Sequence, residues 1–253
     1  MSNSIKLVSF LFIMLFTICN AFAEDTYLYV VRHGQTMFNI AHRAQGWSDT
    51  PLTKSGINDA EQLGRGLKDV KFVSVYSSDL GRARQTARIV LESKGDPVQM
   101  NEMEGLREAY FGQFEGDLDS NMWTPAAQYL GYQSDKELMA DFSQGKISLD
   151  KMLNAIAAVD KLGEAENYKT IKTRMQNSLK TIAEAAKAQG GGNVLIVSHG
   201  LAIMAMVKDL QDKPITSGLG NASVTKIRYT NNGKFIIESF GDMSYMEKGK
   251  KIN

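Results

Sequence analysis

Two kinds of apolar pattern alternate along the chain: short unbroken runs, and longer stretches with every third or fourth position apolar. Tyr27-Leu28-Tyr29-Val30-Val31 is a run rich in β-branched and aromatic residues and predicts a buried strand. Thr53 then opens a predicted helix to Leu67, a capping hydroxyl followed by Ile57, Ala60, Leu63 and Leu67 at helical spacing. Phe72–Tyr76 predicts the next strand, and Ala83–Leu91 a helix with Ala83, Ala87, Val90 and Leu91 on its apolar side. Val194–Val197 is a further buried run, followed directly by a helix over Leu201–Leu210. Ser223–Tyr229 and Lys234–Phe240 flank Asn231-Asn232-Gly233 in a hairpin-like pair. Alternation of this kind predicts an α/β fold in three layers, a mostly parallel sheet flanked by helices.

Between Gly116 and about Asn167 the pattern changes. Trp123, Tyr129, Leu138, Phe142, Leu149, Met152 and Ile156 lie among polar residues in short helix-like pieces. Some 50 residues rarely hold a sufficient core alone, so residues 117–167 are expected to form a helical lid inserted in one domain spanning 24–253. Gly190-Gly191-Gly192 marks a turn between a long helix and its following strand, and the Lys-rich terminus Met243–Asn253 is expected to be partly frayed.

Composition changes this picture at the N-terminus. Lys6 precedes the 12-residue run Leu7–Ile18, apolar except for Ser9 and Thr17, and Ala21-Phe22-Ala23 follows. That is the pattern of a signal peptide over 1–23 with cleavage after Ala23; the run falls short of the ~20 residues that span a bilayer. Ile18 stands where a lipoprotein signal would place a small residue before Cys19, which argues against lipidation. Cleavage leaves 28 basic and 28 acidic residues, no cysteine and no stable membrane anchor. The protein is therefore expected to be exported, to a periplasm or out of the cell. Zero formal charge gives no whole-protein attraction to nucleic acid, and the absence of cysteine excludes a cysteine-rich zinc site.

The candidate chemistry rests on two of only three histidines. His33 follows the first strand in Val-Arg-His-Gly, and His199 follows the strand Val194–Val197 in Val-Ser-His-Gly. Residues just past the carboxyl ends of parallel strands converge on the ligand crevice, so the two can face each other across 166 residues. Gly34 and Gly200 permit close backbone approach, and the helix N-termini behind them favour an anion. Arg32 and Arg82 present planar donors matched to phosphate oxygens, while Asn39, Gln45 and Gly46 offer neutral donors. Arg43, Arg84 and Arg88 are explained adequately by surface salt bridges. Glu108, in a loop, is the candidate acid for protonating a departing oxygen.

Four stretches together resemble the histidine phosphatase superfamily, also called the phosphoglycerate-mutase-like group: Arg32-His33-Gly34-Gln35-Thr36 with Asn39 and Arg43–Thr53; Tyr76–Ala87; Leu106-Arg107-Glu108 through Phe114-Glu115-Gly116; and Val197-Ser198-His199-Gly200. The resemblance covers residues 27–201 and implies that His33 attacks phosphorus, that Arg32, Arg82 and His199 bind the phosphoryl oxygens, that Asn39 orients the phosphate and that Glu108 handles the proton. It implies no metal and no cofactor. The acid phosphatase branch carries Arg-His-Gly-x-Arg-x-Pro and an Asp after its second histidine; here Gln35-Thr36-Met37 and Leu201-Ala202 stand there instead. Cofactor-dependent mutases carry Glu-Arg-His-Tyr-Gly after the catalytic glutamate, whereas Glu108-Ala109-Tyr110-Phe111-Gly112 is more similar to phosphatase members. A phosphomonoesterase of branch 1 acting on a small phosphate ester is the expectation, with a phosphoglycerate-mutase-type phosphotransferase and a non-catalytic phosphate-binding protein as alternatives. A sugar phosphate, a nucleotide, a phosphorylated envelope glycan and other small esters all fit. The lid aromatics Trp123, Tyr129, Tyr132 and Phe142 suit either the leaving group or the lid's own core, and oligomeric state is left open.

Overall fold

The computed structural model describes residues 25–96 and 99–252; the expected signal peptide lies outside them. Six strands form one sheet: β1 (Thr26–Arg32), β2 (Phe72–Ser77), β3 (Met100–Glu102), β4 (Gly192–Ser198), β5 (Val224–Tyr229) and β6 (Phe235–Asp242). Their order is β3-β2-β4-β1-β5-β6. The pairs β3/β2, β2/β4 and β4/β1 are parallel, and β5 and β6 close the other side antiparallel. The strand alternation sorts side chains between two cores. Leu28, Val30, Val194 and Ile196 face one side, and Tyr29, Val31, Leu195 and Val197 the other.

The second face is covered by α2 (Lys54–Gly66), α3 (Gly81–Lys94) and α9 (Ser244–Lys250), which supply Ala60, Leu63, Ala83, Ala87, Val90 and Tyr245. Thr53 caps α2 as its spacing predicts, its side chain accepting from Gly56 N at 3.0 Å. The first face is covered by α7 (Tyr168–Ala188) and α8 (Gly200–Val207). The insertion forms α4 (Asp119–Tyr129), α5 (Asp135–Ser143) and α6 (Leu149–Val159), and its Met122, Leu138, Phe142, Met152 and Ile156 belong to the same apolar cluster as Ile171, Met175 and Ala202. The short helix α1 (Met37–Ile40) sits in the β1–α2 loop. Among the described residues no helix is long and apolar enough to cross a membrane.

Two features differ from expectation. β3 is too short and too exposed to leave a period in the sequence. Residues 244–250 are not frayed: they form α9, docked on α2 so closely that a Cβ on Gly249 would lie 1.7 Å from Gln62 O. Tyr245 packs edge-on against Tyr29, and Lys248 pairs with Asp69 at 3.0 Å. The lysines that suggested a solvated tail project outward from a helix whose glycine makes the contact.

Candidate active site

The β1/β4 register pairs Val31 with Val197 and Arg32 with Ser198, so His33 and His199 emerge at the same level of adjacent strands. His33 N donates to Ser198 O at 3.0 Å, and the two rings lie 5.2 Å apart between centroids. His33 Nδ1 is 2.8 Å from Gly34 O, an atom that can only accept. The ring proton therefore sits on Nδ1 and Nε2 carries a free lone pair. Burial, with the charges of Arg82 and Arg32, holds the His33 pKa well below the usual histidine range.

His199 is fully buried, its Nε2 2.9 Å from Ser78 Oγ. Ser78 Oγ also accepts from Leu80 N at 3.2 Å; its hydroxyl has a donor proton and a second lone pair, so the contact fits either tautomer of His199. Burial and then the charge of Arg82 depress this pKa well below the usual range also.

Arg82 is the largest side chain with no exposure. Its Nη1 donates to Ser48 O and Asp49 Oδ1, both at 3.0 Å, and its Nη2 to Gln45 O at 3.1 Å and Gly46 O at 2.7 Å. Arg32 Nη1 donates to Leu219 O, and Arg32 Nε lies 3.3 Å from where a Cβ on Gly200 would stand, against the first turn of α8. Three buried nitrogens in this cluster have no partner: Arg32 Nε, Arg82 Nε and His199 Nδ1. Buried polar nitrogens are almost always satisfied, and three orphans in the cluster that holds both histidines fit the oxygens of a tetrahedral anion.

Glu108 is 6% exposed and closes the other side. Its Oε1 accepts from Ala202 N at 2.7 Å and Ala109 N at 3.0 Å, and its Oε2 from Leu201 N at 3.1 Å. The carboxyl group thus caps the N-terminus of α8, the helix that starts from His199.

A cavity of about 330 Å³ opens above His33. Of the expected residues, Arg32, His33, Asn39, Gln45 and Glu108 line it, while Gly46, Arg82 and His199 are not among its lining residues. Asn39 Oδ1 accepts from Thr36 N at 3.1 Å and Asn221 Nδ2 at 3.3 Å, bonds that leave its amide nitrogen unused. Gln45 is engaged at both ends, accepting from Thr36 Oγ1 at 2.6 Å and donating to Thr50 Oγ1 at 2.9 Å, so it holds the loop. Gly46 serves close approach: a Cβ there would meet Glu115 Oε1 at 2.0 Å and Ala109 O at 2.3 Å.

Arg43 departs from its expected role as a surface ion pair. It donates to Gly116 O at 2.8 Å and lines the cavity with Asp119, Met122, Trp123, Met204 and Leu219. Arg84 does pair with Glu102, at 3.4 Å. Of the lid aromatics, Trp123 reaches the cavity, Phe142 is in the core and Tyr129 is 63% exposed. Sequence reasoning assigned no role to Ser78 and read Asn221-Ala222-Ser223 either as similar to a segment near the active site in related phosphatases or as a strand-entry turn; Asn221 Nδ2 also donates to His33 O at 3.0 Å. Ala222, at φ 57°, bends the chain there, a rare conformation for a residue with a Cβ.

The profile of the histidine phosphatase superfamily (branch 1) matches residues 28–242. A solved structure of phosphoglycerate mutase from Bacillus anthracis str. Sterne has a TM-score of 0.85 at 42% identity, covering 91% of this chain and 99% of that one. Bacillus stearothermophilus YhfR gives a TM-score of 0.68 at 28% identity, over 87% and 99% of the two chains. The protein named "Probable phosphoglycerate mutase GpmB" of Yersinia pestis (strain Pestoides F) is 28% identical over 228 residues, 87% of this chain and 94% of its own. With two histidines at adjacent strand ends, two buried arginines and a helix-capping glutamate in one matched span, the chain belongs to branch 1 of the histidine phosphatase superfamily.

Proposed function

We propose that this protein is an exported phosphomonoesterase that hydrolyses small phosphate esters through a phosphohistidine on His33. The observation that carries the reading is the unprotonated His33 Nε2 in a buried cluster with three unpartnered nitrogens, with a carboxyl group lining the same cavity. Nε2 attacks phosphorus; the P–O bond to the alcohol breaks, and Glu108 gives its proton to the leaving oxygen. Arg32, Arg82 and His199 hold the equatorial oxygens as their charge redistributes. Water then attacks the phosphohistidine, Glu108 takes its proton, and the N–P bond breaks to release inorganic phosphate and restore both groups. Support for hydrolysis over transfer comes from the sequence after Glu108, Ala109-Tyr110-Phe111-Gly112 in place of Arg-His-Tyr-Gly.

A phosphoglycerate-mutase-type transfer is the second reading, favoured by the name of the 42% identical Bacillus anthracis protein. Phosphate release from a panel of phosphomonoesters in EDTA, with interconversion of 2- and 3-phosphoglycerate followed alongside, separates the two. Hydrolysis lost in His33→Ala supports the proposal; interconversion without net phosphate release replaces it with the mutase reading. Turnover surviving His33→Ala refutes the nucleophile. Export is tested by the N-terminus of the protein recovered from cells, expected at Glu24.

A further inference from the structure

Glu108 is carried by a segment without regular secondary structure, just past a 3-10 turn at Glu104–Leu106, so its place depends on what holds that segment. The main grip comes from α7. Arg174 lies on the inward stripe that contains Ile171 and Ser178, with its side chain 18% exposed. Its Nη1 donates to Gly105 O at 3.2 Å and Arg107 O at 2.6 Å, and its Nη2 to Glu108 O at 2.7 Å. Nη2 and Nε also form a two-pronged pair with Glu166, at 2.6 and 2.8 Å. Glu166 in turn accepts from Tyr110 N at 3.0 Å, while its own N donates to Tyr110 O at 2.9 Å. The guanidinium thus binds the backbone up to and including Glu108, the carboxylate that orients it binds Tyr110 beyond, and neither group lines the cavity.

We propose that Arg174, held by Glu166, is a positioning residue for proton transfer by Glu108. The proposal rests on the phosphomonoesterase reading above. A planar fork that fills three carbonyls fixes the Glu108 backbone from behind, and so fixes where its carboxyl group meets α8 and the leaving oxygen. A general acid supplies roughly 10²–10⁴-fold, and a displacement of about 1 Å forfeits on the order of 10²-fold. That loss falls on esters whose leaving alkoxide needs a proton, and hardly on aryl esters whose phenolate leaves unprotonated.

The test compares kcat/KM for glycerol phosphate and 4-nitrophenyl phosphate, since this parameter ends with departure of the alcohol and excludes hydrolysis of the phosphohistidine. In Arg174→Met the expected loss is about 10²-fold on the alkyl ester and under about fivefold on the aryl ester. Arg174→Lys recovers only part, because an ammonium cannot fork. The double variant Glu108→Gln/Arg174→Met is no slower on the alkyl ester than Glu108→Gln alone. Equal loss on both esters, no loss, or additive loss in the double variant overturns the proposal. Should Arg174→Met not fold, Glu166→Gln loosens the fork and gives the same selectivity at smaller size. Glu108→Gln separates the two levels of inference. If it slows both esters alike, the assignment of the acid fails and the proposal with it; if it is selective while Arg174→Met is not, only the positioning role fails.

Discussion

Replacing Arg82 with methionine removes a side chain that the fold and the chemistry use at the same time, through different atoms. Nη1 and Nη2 are committed to the loop after β1, satisfying the carbonyls of Gln45, Gly46 and Ser48 and the Asp49 carboxylate; only Nε remains for a ligand. A buried acceptor left unpaired costs about 1–3 kcal/mol. Asp49 is 32% exposed and rehydrates with its neighbour Ser48, so the Gln45 and Gly46 carbonyls carry most of the loss, about 2–6 kcal/mol. Against this stands relief from burying the guanidinium, whose pKa is lowered chiefly by desolvation. A net loss of about 3 kcal/mol is expected. Arg32, whose side chain makes one hydrogen bond, to Leu219 O, is the contrast: Arg32→Met is expected to cost about 1 kcal/mol. Both variants lose turnover. Urea unfolding of the two proteins and wild type in phosphate-free buffer measures the difference, free of ligand stabilisation. If Arg82→Met falls within 1 kcal/mol of wild type on the scale of a single hydrogen bond, or Arg32→Met loses as much, the division of labour is wrong.

The remaining predictions concern acid and the terminus. His33 and His199 have depressed pKa values in the fold, so at pH 7 they are neutral folded and largely so unfolded; below about 6.5 the unfolded chain takes up protons first and stability falls. Urea midpoints should drop between pH 7 and pH 5, above the range where carboxylates titrate, and the acidic limb of kcat/KM for His33 should lie below 6.5; flat stability over that interval contradicts the assignment. Gly249→Ala places a methyl group on backbone atoms of α2, which no rotamer change relieves, and is expected to cost about 1–3 kcal/mol. A thermal melt matching wild type would mean that α9 is not docked as described.

What the sequence made legible follows physical type. Tyr27–Val31 and Val194–Val197 were readable because strands buried on both faces leave unbroken apolar runs, and the site followed because each run ends in His-Gly. α9 was not readable, because its closest contact depends on Gly249 and Gly66, and a missing side chain leaves no apolar signal among lysines. Arg43 was misplaced for a related reason: an arginine's partner is a matter of which way its loop turns, and that turn is set by Ala44 N bonding Asp117 O, 73 residues away. Arg174 did leave a trace, a charge inside the stripe formed by Ile171, Met175 and Ser178, where an ordinary amphipathic helix would place an apolar residue.

The two halves of the proposed chemistry are therefore held by different means. The nucleophile and its partner histidine inherit their spacing from β1/β4 pairing, a backbone ladder that no single side chain controls. The acid has no such ladder. Glu108 is held in front by the amides of Leu201 and Ala202, and behind by Trp47 Nε1 at 3.0 Å and by Arg174, all reaching its backbone or carboxyl group from other elements. Substitutions in these grips can shift the acid while His33 stays in place, so leaving-group preference can change while the nucleophile and its phosphate site persist. Because α8 begins at His199 and carries the two amides that bind Glu108, the helix also fixes the acid relative to the histidine pair. A cut in that one helix would disturb both halves together, which no change in the Arg174 fork should do.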